Sequence, residues 1–177
     1  MWAAYERGEI DHMELRTSRF QLLGQHFEMD ADPEAMSKNY LTCLVEHYEF
    51  LPKAKEILHA LNGHFKLVYI TNGLADVQRP RLKRSEITHL FESIIIADEI
   101  GHQKPNAPYF EHTLNTIQNP AKENILVIGD NLTTDIQGGR DFGLDTCWLN
   151  RENKSNKTNT LPTYEIRHLD QLLDILF

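Results

Sequence analysis

The chain has 177 residues, the length of one domain or of one domain with a small insertion. Its 18 Lys and Arg against 26 Asp and Glu give a formal net charge of −8, which disfavours binding of a nucleic acid polymer. No apolar run approaches the roughly 20 residues that span a bilayer. The 2 cysteines are too few for a disulfide scaffold and lack metal-ligand spacing. Composition therefore predicts a globular, cytoplasmic protein with neither a membrane nor a nucleic acid partner.

Residues 1–50 have the pattern of helices. Asp11 and Glu14 have the spacing of a capping box, and Asp32-Pro33 predicts a second helix with the acid as N-cap and the proline at the first position. Apolar residues follow each start at helical spacing: Phe20, Leu23 and Phe27 in the first helix, and Met36, Tyr40, Leu41, Leu44, Val45 and Tyr48 in the second. We therefore expect the apolar face of the second helix to be buried.

From Leu51 onward helices alternate with strands. Nearly continuous apolar runs at 65–70, 94–97, 125–128 and 146–149 predict strands covered on both faces, followed by a short strand at 164–166. The predicted helices are one from Pro52 to Asn62-Gly63 and others at 75–86, 108–117, 133–142 and 170–177, with Pro80 kinking the second or displacing its start. This alternation predicts an α/β fold with a doubly wound parallel sheet in residues 51–177.

Polar side chains follow the predicted strands at their carboxyl ends, where such sheets bind ligands. The first strand runs into Thr71-Asn72-Gly73, the second is followed by Lys104-Pro105, and the third is followed by Asp130 and then Asp135. A hydroxyl beside a helix start and an ammonium suit phosphate, and two carboxylates suit Mg²⁺. Together they suit phosphoryl transfer, whose requirements are positioning and charge neutralisation.

Each of these residues also has an ordinary structural interpretation. Thr71 or Asp130 alone would be read as a helix cap, and Asn72-Gly73 alone as a turn. Lys104 alone would be a solvated loop lysine, and Asp135 would be a first-turn acid. The functional interpretation depends on all of these residues lying, in chain order, at one edge of one sheet. Gly138-Gly139 is interpreted as structural, allowing a helix to pack closely.

These motifs resemble those of the haloacid dehalogenase-like (HAD) hydrolase superfamily. Residues 70–73 (ITNG) are similar to its second motif, Lys104-Pro105-Asn106 to its third, and residues 129–135 (GDNLTTD) to its fourth. Residues 1–50 resemble part of a helical cap, and residues 51–177 resemble the Rossmann-like core. The segments 71–110 and 147–150 are most similar to the pyrimidine 5′-nucleotidase, or nucleoside-monophosphate phosphatase, subgroup.

The resemblance implies a role for each matching residue. Thr71 would bind the transferred phosphoryl group with Asn72 and Gly73 shaping the loop, and Lys104 would pair with the phosphate and the nucleophile. Asp130 would be a direct ligand of a Mg²⁺ cofactor, and Asp135 would orient a metal-bound water or Lys104. Because dehalogenases lack the first of these two acids and use no metal, the resemblance favours a phosphatase over a haloacid dehalogenase.

The family's first motif, Asp-x-Asp on the first strand, has no counterpart in this chain. Asp30-Ala31-Asp32 lies at a predicted helix start and is interpreted as capping, and Met1-Trp2 resembles the interior of a cap helix. The resemblance therefore implies an N-terminal truncation, with the nucleophile upstream and a gap between the strands ending at Thr71 and Asp130. A gene start assigned too far downstream, a shortened product and a natural remnant all remain open.

Three functions are carried forward from the sequence. The first is a magnesium-dependent phosphomonoesterase acting on a small phosphorylated metabolite, a nucleoside 5′-monophosphate, through an aspartyl-phosphate. The second is a truncated binder of phosphate or metal without turnover. The third is a phosphate-accepting receiver domain, which the order Thr71, Lys104, Asp130 disfavours because receivers place the acceptor Asp first. A sheet without its middle strand could also recruit one from another chain, so a homo-oligomer remains open.

Overall fold

A computed structural model describes residues 1, 4–5 and 8–177, which pack as two compact units. The first unit is Met1–Glu49 with Gly73–Ser85, and the second is Phe50–Asn72 with Glu86–Phe177. The elements are α1 (His12–His26), α2 (Pro33–Glu46), α3 (Ala54–Leu61), β1 (Val68–Thr71), α4 (Ala75–Ser85), β2 (Ser93–Ile96), α5 (Ala97–Ile100), α6 (Ala107–Thr116), β3 (Leu126–Gly129), α7 (Gly138–Asp141), β4 (Asp145–Leu149), β5 (Tyr164–Ile166) and α8 (Gln171–Leu176). Of the pair Met1-Trp2, interpreted from the sequence as part of a cap helix, Trp2 lies outside the described residues. Segment 73–85 groups here with the helical unit, whereas the division predicted from the sequence assigns it to residues 51–177.

The two predicted N-caps of the helical unit are confirmed. Asp11 and Glu14 form a reciprocal capping box at the start of α1. The Asp32 carboxylate accepts from the Glu34 N–H at the start of α2, where Pro33 is the first helical residue. Asp32 is therefore a capping residue, as the sequence analysis expected for the Asp30-Ala31-Asp32 segment.

The expected burial of an apolar face on α2 is met only in part. Of the residues named for this face, Tyr40 is exposed and the others are half-buried: Met36, Leu41, Leu44, Val45 and Tyr48. Leu15 is the buried hydrophobic residue of α1, and the only buried residue of α2 is a serine, Ser37. Phe27 remains 63% exposed and Tyr40 41% exposed. Both helices pack against each other, and α2 also packs against α4, but these contacts cover too little of the apolar stripes to bury them.

Helix α4 begins at Ala75, as predicted, and continues through Pro80 to Ser85. The proline therefore does not displace the helix start. Because a proline has no N–H, it leaves the carbonyl four residues earlier, on Asp76, without the usual helical donor. The Asp76 carboxylate accepts from Arg16 of α1 at 2.7 Å, which links α1 to this turn of α4.

The second unit contains the predicted parallel α/β fold. Strands β1 and β2 form one parallel ladder, and β3, β4 and β5 form another in that order. Among the described residues, β1 and β3 therefore each have one edge that pairs with no strand. Ile128, an apolar residue of β3, is 37% exposed.

Helices cover both faces of the sheets, as predicted for a doubly wound fold. On one face α3 and α8 pack against β4 and β5 around Cys147, a fully buried thiol whose pKa burial raises to about 11. On the other face Phe110 and Leu114 of α6 pack against Val127 of β3. Within the described residues, no helix is long and apolar enough to cross a membrane.

Most predicted elements are confirmed with ends displaced by one to three residues, but the predicted helix 133–142 is not one regular helix. Residues Leu132–Gln137 form a wide π-helical turn, in which the Ile136 N–H reaches the Asn131 carbonyl at 3.2 Å, and α7 follows. Asn131 begins the turn by accepting from the N–H groups of Thr133 and Thr134. Turns of this kind are frequent at functional sites.

The predicted structural role of Gly138 and Gly139 is confirmed. A Cβ on Gly138 would lie 2.8 Å from the Pro105 Cα, and one on Gly139 would lie 2.9 Å from the Thr146 methyl group. Helix α7 therefore packs directly on the 104–105 loop and on β4 because both positions lack a side chain.

We expect the substitution Gly138→Ala to lower the free energy of unfolding by about 1–3 kcal/mol, because its Cβ would overlap main chain that cannot easily move. Gly24→Ala is the matched control, since it also lies in a helix but its Cβ would meet only the Met29 carbonyl at 3.6 Å. That control should gain about 0.5–1 kcal/mol from helix propensity. Urea titrations followed by circular dichroism measure both changes, and equal effects of the two substitutions would contradict this packing.

Candidate active site

The strand ends place the predicted site residues at the carboxyl edge of the parallel ladders. Thr71 is the last residue of β1 and pairs in register with Ile96, the last residue of β2. Gly129 ends β3, and Asp130 follows it. Because β1 and β2 are parallel, as are β3 and β4, each ladder brings its loops to one edge.

Asn72 holds the loop that carries Lys104. Its side-chain Nδ2 donates to the Lys104 carbonyl at 2.8 Å, and its Oδ1 accepts from the Lys104 N–H at 2.8 Å. The amide group therefore makes the same pair of hydrogen bonds that a neighbouring strand would make. This pairing fixes the backbone of residue 104 to the end of β1, and Lys104-Pro105 is a cis peptide.

The Lys104 side chain reaches the loop after β3. Its Nζ lies 2.6 Å from the Asp135 Oδ1, and each of the two side chains is 9% exposed. Two opposite charges withdrawn from water in this way persist only with good geometry and further hydrogen bonds. The second oxygen of the carboxylate, Oδ2, provides one of these, since it accepts from the Asn131 N–H at 3.2 Å.

Gly129 makes room for this arrangement. A Cβ at residue 129 would lie 2.3 Å from the Asp135 Oδ2, closer than any side chain allows. Asp135 can therefore turn back over the end of β3 only because that strand ends in glycine. Asp135 lies within the π-helical turn Leu132–Gln137.

Asp130 has a different environment from Asp135. Asp130 is exposed, and within the described residues its carboxylate has no hydrogen-bond or ion-pair partner. Its main-chain carbonyl accepts from the Trp148 indole N–H at 3.1 Å, which anchors the backbone at the end of β3. The Asp130 carboxylate is thus held at a fixed point of the chain and remains available to a ligand.

Thr71 is held by a residue that the sequence analysis did not single out. The Tyr109 hydroxyl accepts from the Thr71 N–H at 2.9 Å and donates to the Ile95 carbonyl at 2.9 Å. Tyr109 is fully buried on α6, and burial raises the pKa of its hydroxyl above the usual range, so it stays protonated. An aromatic residue on a helix is normally interpreted as core, and no sequence signal distinguishes this one.

The hydrogen bonds and the ion pair described above do not involve Gly73, which the sequence also predicts as a site residue. It is the first residue of segment 73–85 in the helical unit, where a Cβ would lie 2.4 Å from the Gln78 side-chain nitrogen. The absence of a side chain at residue 73 therefore lets Gln78 fold back against the start of α4. Direct contacts and chain neighbours connect the remaining predicted site residues: Thr71, Asn72, Lys104, Asp130 and Asp135.

The donor set at this edge fits a hard divalent cation. Among the described residues, no three His, Cys, Asp or Glu side chains group to hold a metal. A cation here would therefore use Asp130 and Asp135, together with water, main chain or a substrate phosphate. Mg²⁺ is bound in this way, by one or two carboxylates plus waters and phosphate oxygens, so the residues present fit it.

The chain belongs to the haloacid dehalogenase-like hydrolase family, whose profile matches residues 9–149. It is 36% identical to the HAD-hydrolase YfnB of Bacillus subtilis, over 99% of this chain and 75% of that protein. It is also 31% identical to the pyrimidine 5′-nucleotidase YjjG of Escherichia coli, over 99% of this chain and 77% of that protein. The pyrimidine 5′-nucleotidase PynA of Streptococcus pneumoniae is 34% identical, over 99% of this chain and 75% of its own length.

A solved structure confirms the fold. The crystal structure of YfnB from B. subtilis bound to magnesium superposes with a TM-score of 0.91 at 36% identity, covering 99% of this chain and 77% of that one. The resemblance read from the motifs is therefore confirmed at the level of the family and of the α/β fold.

We expect the ion pair of Lys104 and Asp135 to be strongly coupled. Lys104→Met or Asp135→Asn alone should lower the free energy of unfolding by about 3–5 kcal/mol, because each leaves a buried charge without its partner. The double substitution should lose less than the sum of the two, with a coupling of about 2–3 kcal/mol. Denaturant titrations of the four proteins measure it.

The exposed pair of Lys66 and Glu92, 3.1 Å apart, provides the control cycle. Its coupling should be at most about 1 kcal/mol because water and salt screen both charges. A similar coupling in the two cycles would contradict the buried character of the Lys104–Asp135 pair.

We expect Asn72→Asp to release the 104–105 loop. The new carboxylate would still accept from the Lys104 N–H, but its second oxygen would face the Lys104 carbonyl at the distance of the lost hydrogen bond, 2.8 Å. The expected cost is about 1–3 kcal/mol of unfolding free energy, with faster amide exchange at Lys104. Asn159→Asp, in an exposed loop, makes the same charge change and should alter neither quantity.

Proposed function

We propose that this protein is a magnesium-dependent phosphomonoesterase that hydrolyses a nucleoside 5′-monophosphate. The observation that carries the proposal is the buried Lys104 ammonium, which pairs with Asp135 in the loop after β3, while Asn72 at the end of β1 holds the Lys104 backbone. A fixed, partly desolvated cation at the ligand-binding edge of an α/β sheet suits a phosphate group. The similarity to two proteins named pyrimidine 5′-nucleotidases supports the nucleotide as the substrate class.

In this proposal the chain's own residues bind and orient the phosphoryl group. The Thr71 hydroxyl donates to a phosphoryl oxygen, and Asn72 and Gly73, the next two residues of the chain, shape the loop that carries it. Lys104 neutralises the charge that develops on the phosphoryl oxygens during transfer. Because Asp135 and Asn72 hold Lys104 before the substrate arrives, little reorganisation is needed during the reaction.

Asp130 and Asp135 would hold Mg²⁺, which would offset the phosphate charge and help to fix its orientation when bound. The difference in burial between the two acids suits them to different roles. Asp130 is exposed and unpartnered in the described chain, which suits a direct ligand, whereas Asp135 is buried against Lys104. The magnesium-bound structure of the similar protein YfnB supports the choice of metal.

The attacking carboxylate, in this proposal, is an aspartate outside residues 1–177. It attacks phosphorus and displaces the 5′-oxygen of the nucleoside, which leaves as the protonated alcohol, and water then hydrolyses the aspartyl-phosphate to aspartate and inorganic phosphate. Two observations support an outside source. The single Asp-x-Asp of the chain, at residues 30–32, uses Asp32 as a helix cap in the other unit. Strands β1 and β3, whose ends carry Thr71 and Asp130, each have a free pairing edge in the described chain.

A second candidate is a binder of phosphate or Mg²⁺ without turnover. The observation that favours it is the same absence, within residues 1–177, of an Asp-x-Asp that follows a strand. Under this candidate Lys104, Thr71 and Asp130 would retain affinity for phosphate and metal while no bond is cleaved. A strand supplied by a second copy of the chain would also fill the free edges.

The test measures phosphate release from nucleoside 5′-monophosphates with Mg²⁺, for the 177-residue chain and for a longer polypeptide that includes the sequence encoded immediately upstream. We expect release by the longer protein, and a loss of about 10²–10³-fold in turnover for Lys104→Met, because one charge-stabilising donor is removed. Lys66→Met, at an exposed lysine, is the control and should retain full turnover. Chelation of the metal should abolish release reversibly.

The outcomes separate the two candidates. Turnover by neither polypeptide, with phosphate and Mg²⁺ binding intact in calorimetry, would establish the binder and overturn the enzyme. Release that survives Lys104→Met unchanged would overturn the proposed site. An upstream sequence with no apolar strand ending in Asp-x-Asp would remove the proposed source of the nucleophile.

A further inference from the structure

Tyr109 occupies an unusual place for a buried tyrosine. Its ring lies on α6 in the cluster formed with Ile95 and Ala97, where it is fully buried. Its hydroxyl extends out of that cluster to the main chain at the end of the two-stranded ladder. There it lies 2.9 Å from the Thr71 amide nitrogen and 2.9 Å from the Ile95 carbonyl oxygen.

The direction of each hydrogen bond is determined by the chemistry of the groups. A main-chain N–H can only donate and a carbonyl can only accept, so the phenol accepts from Thr71 and donates to Ile95. The Thr71 carbonyl is farther from the hydroxyl, at 3.4 Å, and is the weaker partner for its one proton. The hydroxyl therefore donates its one proton to the Ile95 carbonyl and accepts from the Thr71 N–H. This second contact fixes the position of the Thr71 backbone, which carries the Thr71 side chain.

This contact is made by a helix that also begins at the Lys104 loop. The main-chain carbonyl of Asn106, the residue before α6, accepts from the Tyr109 N–H at 3.0 Å. Lys104, two residues before Asn106, pairs through its backbone with the Asn72 side chain. Tyr109, in the first turn of α6, therefore bonds to Thr71, and Lys104, in the loop before α6, pairs with Asn72, the residue after Thr71. Two successive residues at the end of β1 thus contact the helix and the loop that carries the ammonium.

We propose that Tyr109 is a positioning residue for phosphate: its hydroxyl sets the Thr71 backbone so that the Thr71 hydroxyl meets the same phosphate oxygens as Lys104. The inference rests on the proposed function, because it assigns Thr71 and Lys104 to one phosphate group. Tyr109 itself does not contact the substrate in this proposal. Its effect is transmitted through one residue, and it should therefore alter affinity for the phosphate group rather than for the rest of a substrate.

The test compares Tyr109→Phe, which retains the ring and removes only the hydroxyl, with Thr113→Val as the matched control. Thr113 lies one turn later on α6, is buried, and donates its hydroxyl to the Tyr109 carbonyl at 2.8 Å, so this substitution also removes one buried hydroxyl. Calorimetry with inorganic phosphate, with and without Mg²⁺, measures affinity in both variants and in the unmodified chain. Nitrogen-15 spectra report the chemical shift and exchange rate of the Thr71 amide.

We expect Tyr109→Phe to weaken phosphate binding about tenfold, the factor that corresponds to one hydrogen bond of ordinary strength. The Thr71 amide proton should move upfield and exchange faster in the same variant. Thr113→Val should leave phosphate affinity and the Thr71 amide unchanged, even if it lowers the melting temperature. Should Tyr109→Phe fail to fold, slow exchange of the Thr71 amide in the unmodified chain still tests the contact, and exchange as fast as an exposed amide would overturn it.

The contrary outcomes are distinguishable. Equal phosphate affinity of Tyr109→Phe and the unmodified chain would overturn the positioning role while leaving the proposed function intact. Equal weakening by Thr113→Val would also overturn it, since the loss would then reflect general loosening of α6. No phosphate binding by the unmodified chain, with or without Mg²⁺, would overturn this inference, while phosphate release by the longer protein decides the proposed function separately.

Discussion

The ion pair between Lys104 and Asp135 is the interaction on which the rest of the site depends. Both side chains are largely withdrawn from water, at 9% exposure each, so the free energy lost on desolvation must be offset locally. Several features follow from that requirement. Asn72 fixes the backbone that carries the ammonium, the Asn131 N–H binds the second carboxylate oxygen, and Gly129 leaves the space that the carboxylate occupies. A side chain at residue 129 would displace the Asp135 carboxylate and leave the Lys104 ammonium buried without a partner.

The same constraint separates the tasks of the two acids in the GDNLTTD segment. Asp135 is committed to a cation of the chain itself, whereas Asp130, five residues earlier, is exposed with a free carboxylate in the described structure. Two carboxylates in such different surroundings respond differently to a ligand. In the proposed site a metal ion would compete with Lys104 for Asp135, whereas the Asp130 carboxylate has no partner in the described chain. Metal binding would then be linked to the position of Lys104 through the Asp135 carboxylate.

Sequence patterns predicted the fold more completely than the site. Apolar runs predicted the strands and capping residues predicted the helix starts, because both signals are local. The rule that ligands bind at strand ends selected Thr71, Lys104, Asp130 and Asp135 as predicted site residues. This rule did not select Tyr109, because Tyr109 lies on a helix, 38 residues after the Thr71 that its hydroxyl contacts. The π-helical turn was not predicted either, because the apolar spacing of residues 133–142 does not distinguish a π-helical turn from an α-helix. The apolar face of α2 is buried only in part, since periodicity shows that a face is apolar but not what covers it.

The two ladders of the second unit are connected, in the described residues, by side chains rather than by strand pairing. Phe110 of α6 packs in one cluster with Val127 of β3 and Ile70 of β1, and Ile70 also contacts the cluster that contains Tyr109. On the polar side, Asn72, Lys104 and Asp135 make the connection from β1 to the loop after β3. The site geometry therefore requires no main-chain pairing between β1 and β3. A strand placed between their free edges would add main-chain hydrogen bonds and a new side chain at a carboxyl edge already arranged around Lys104.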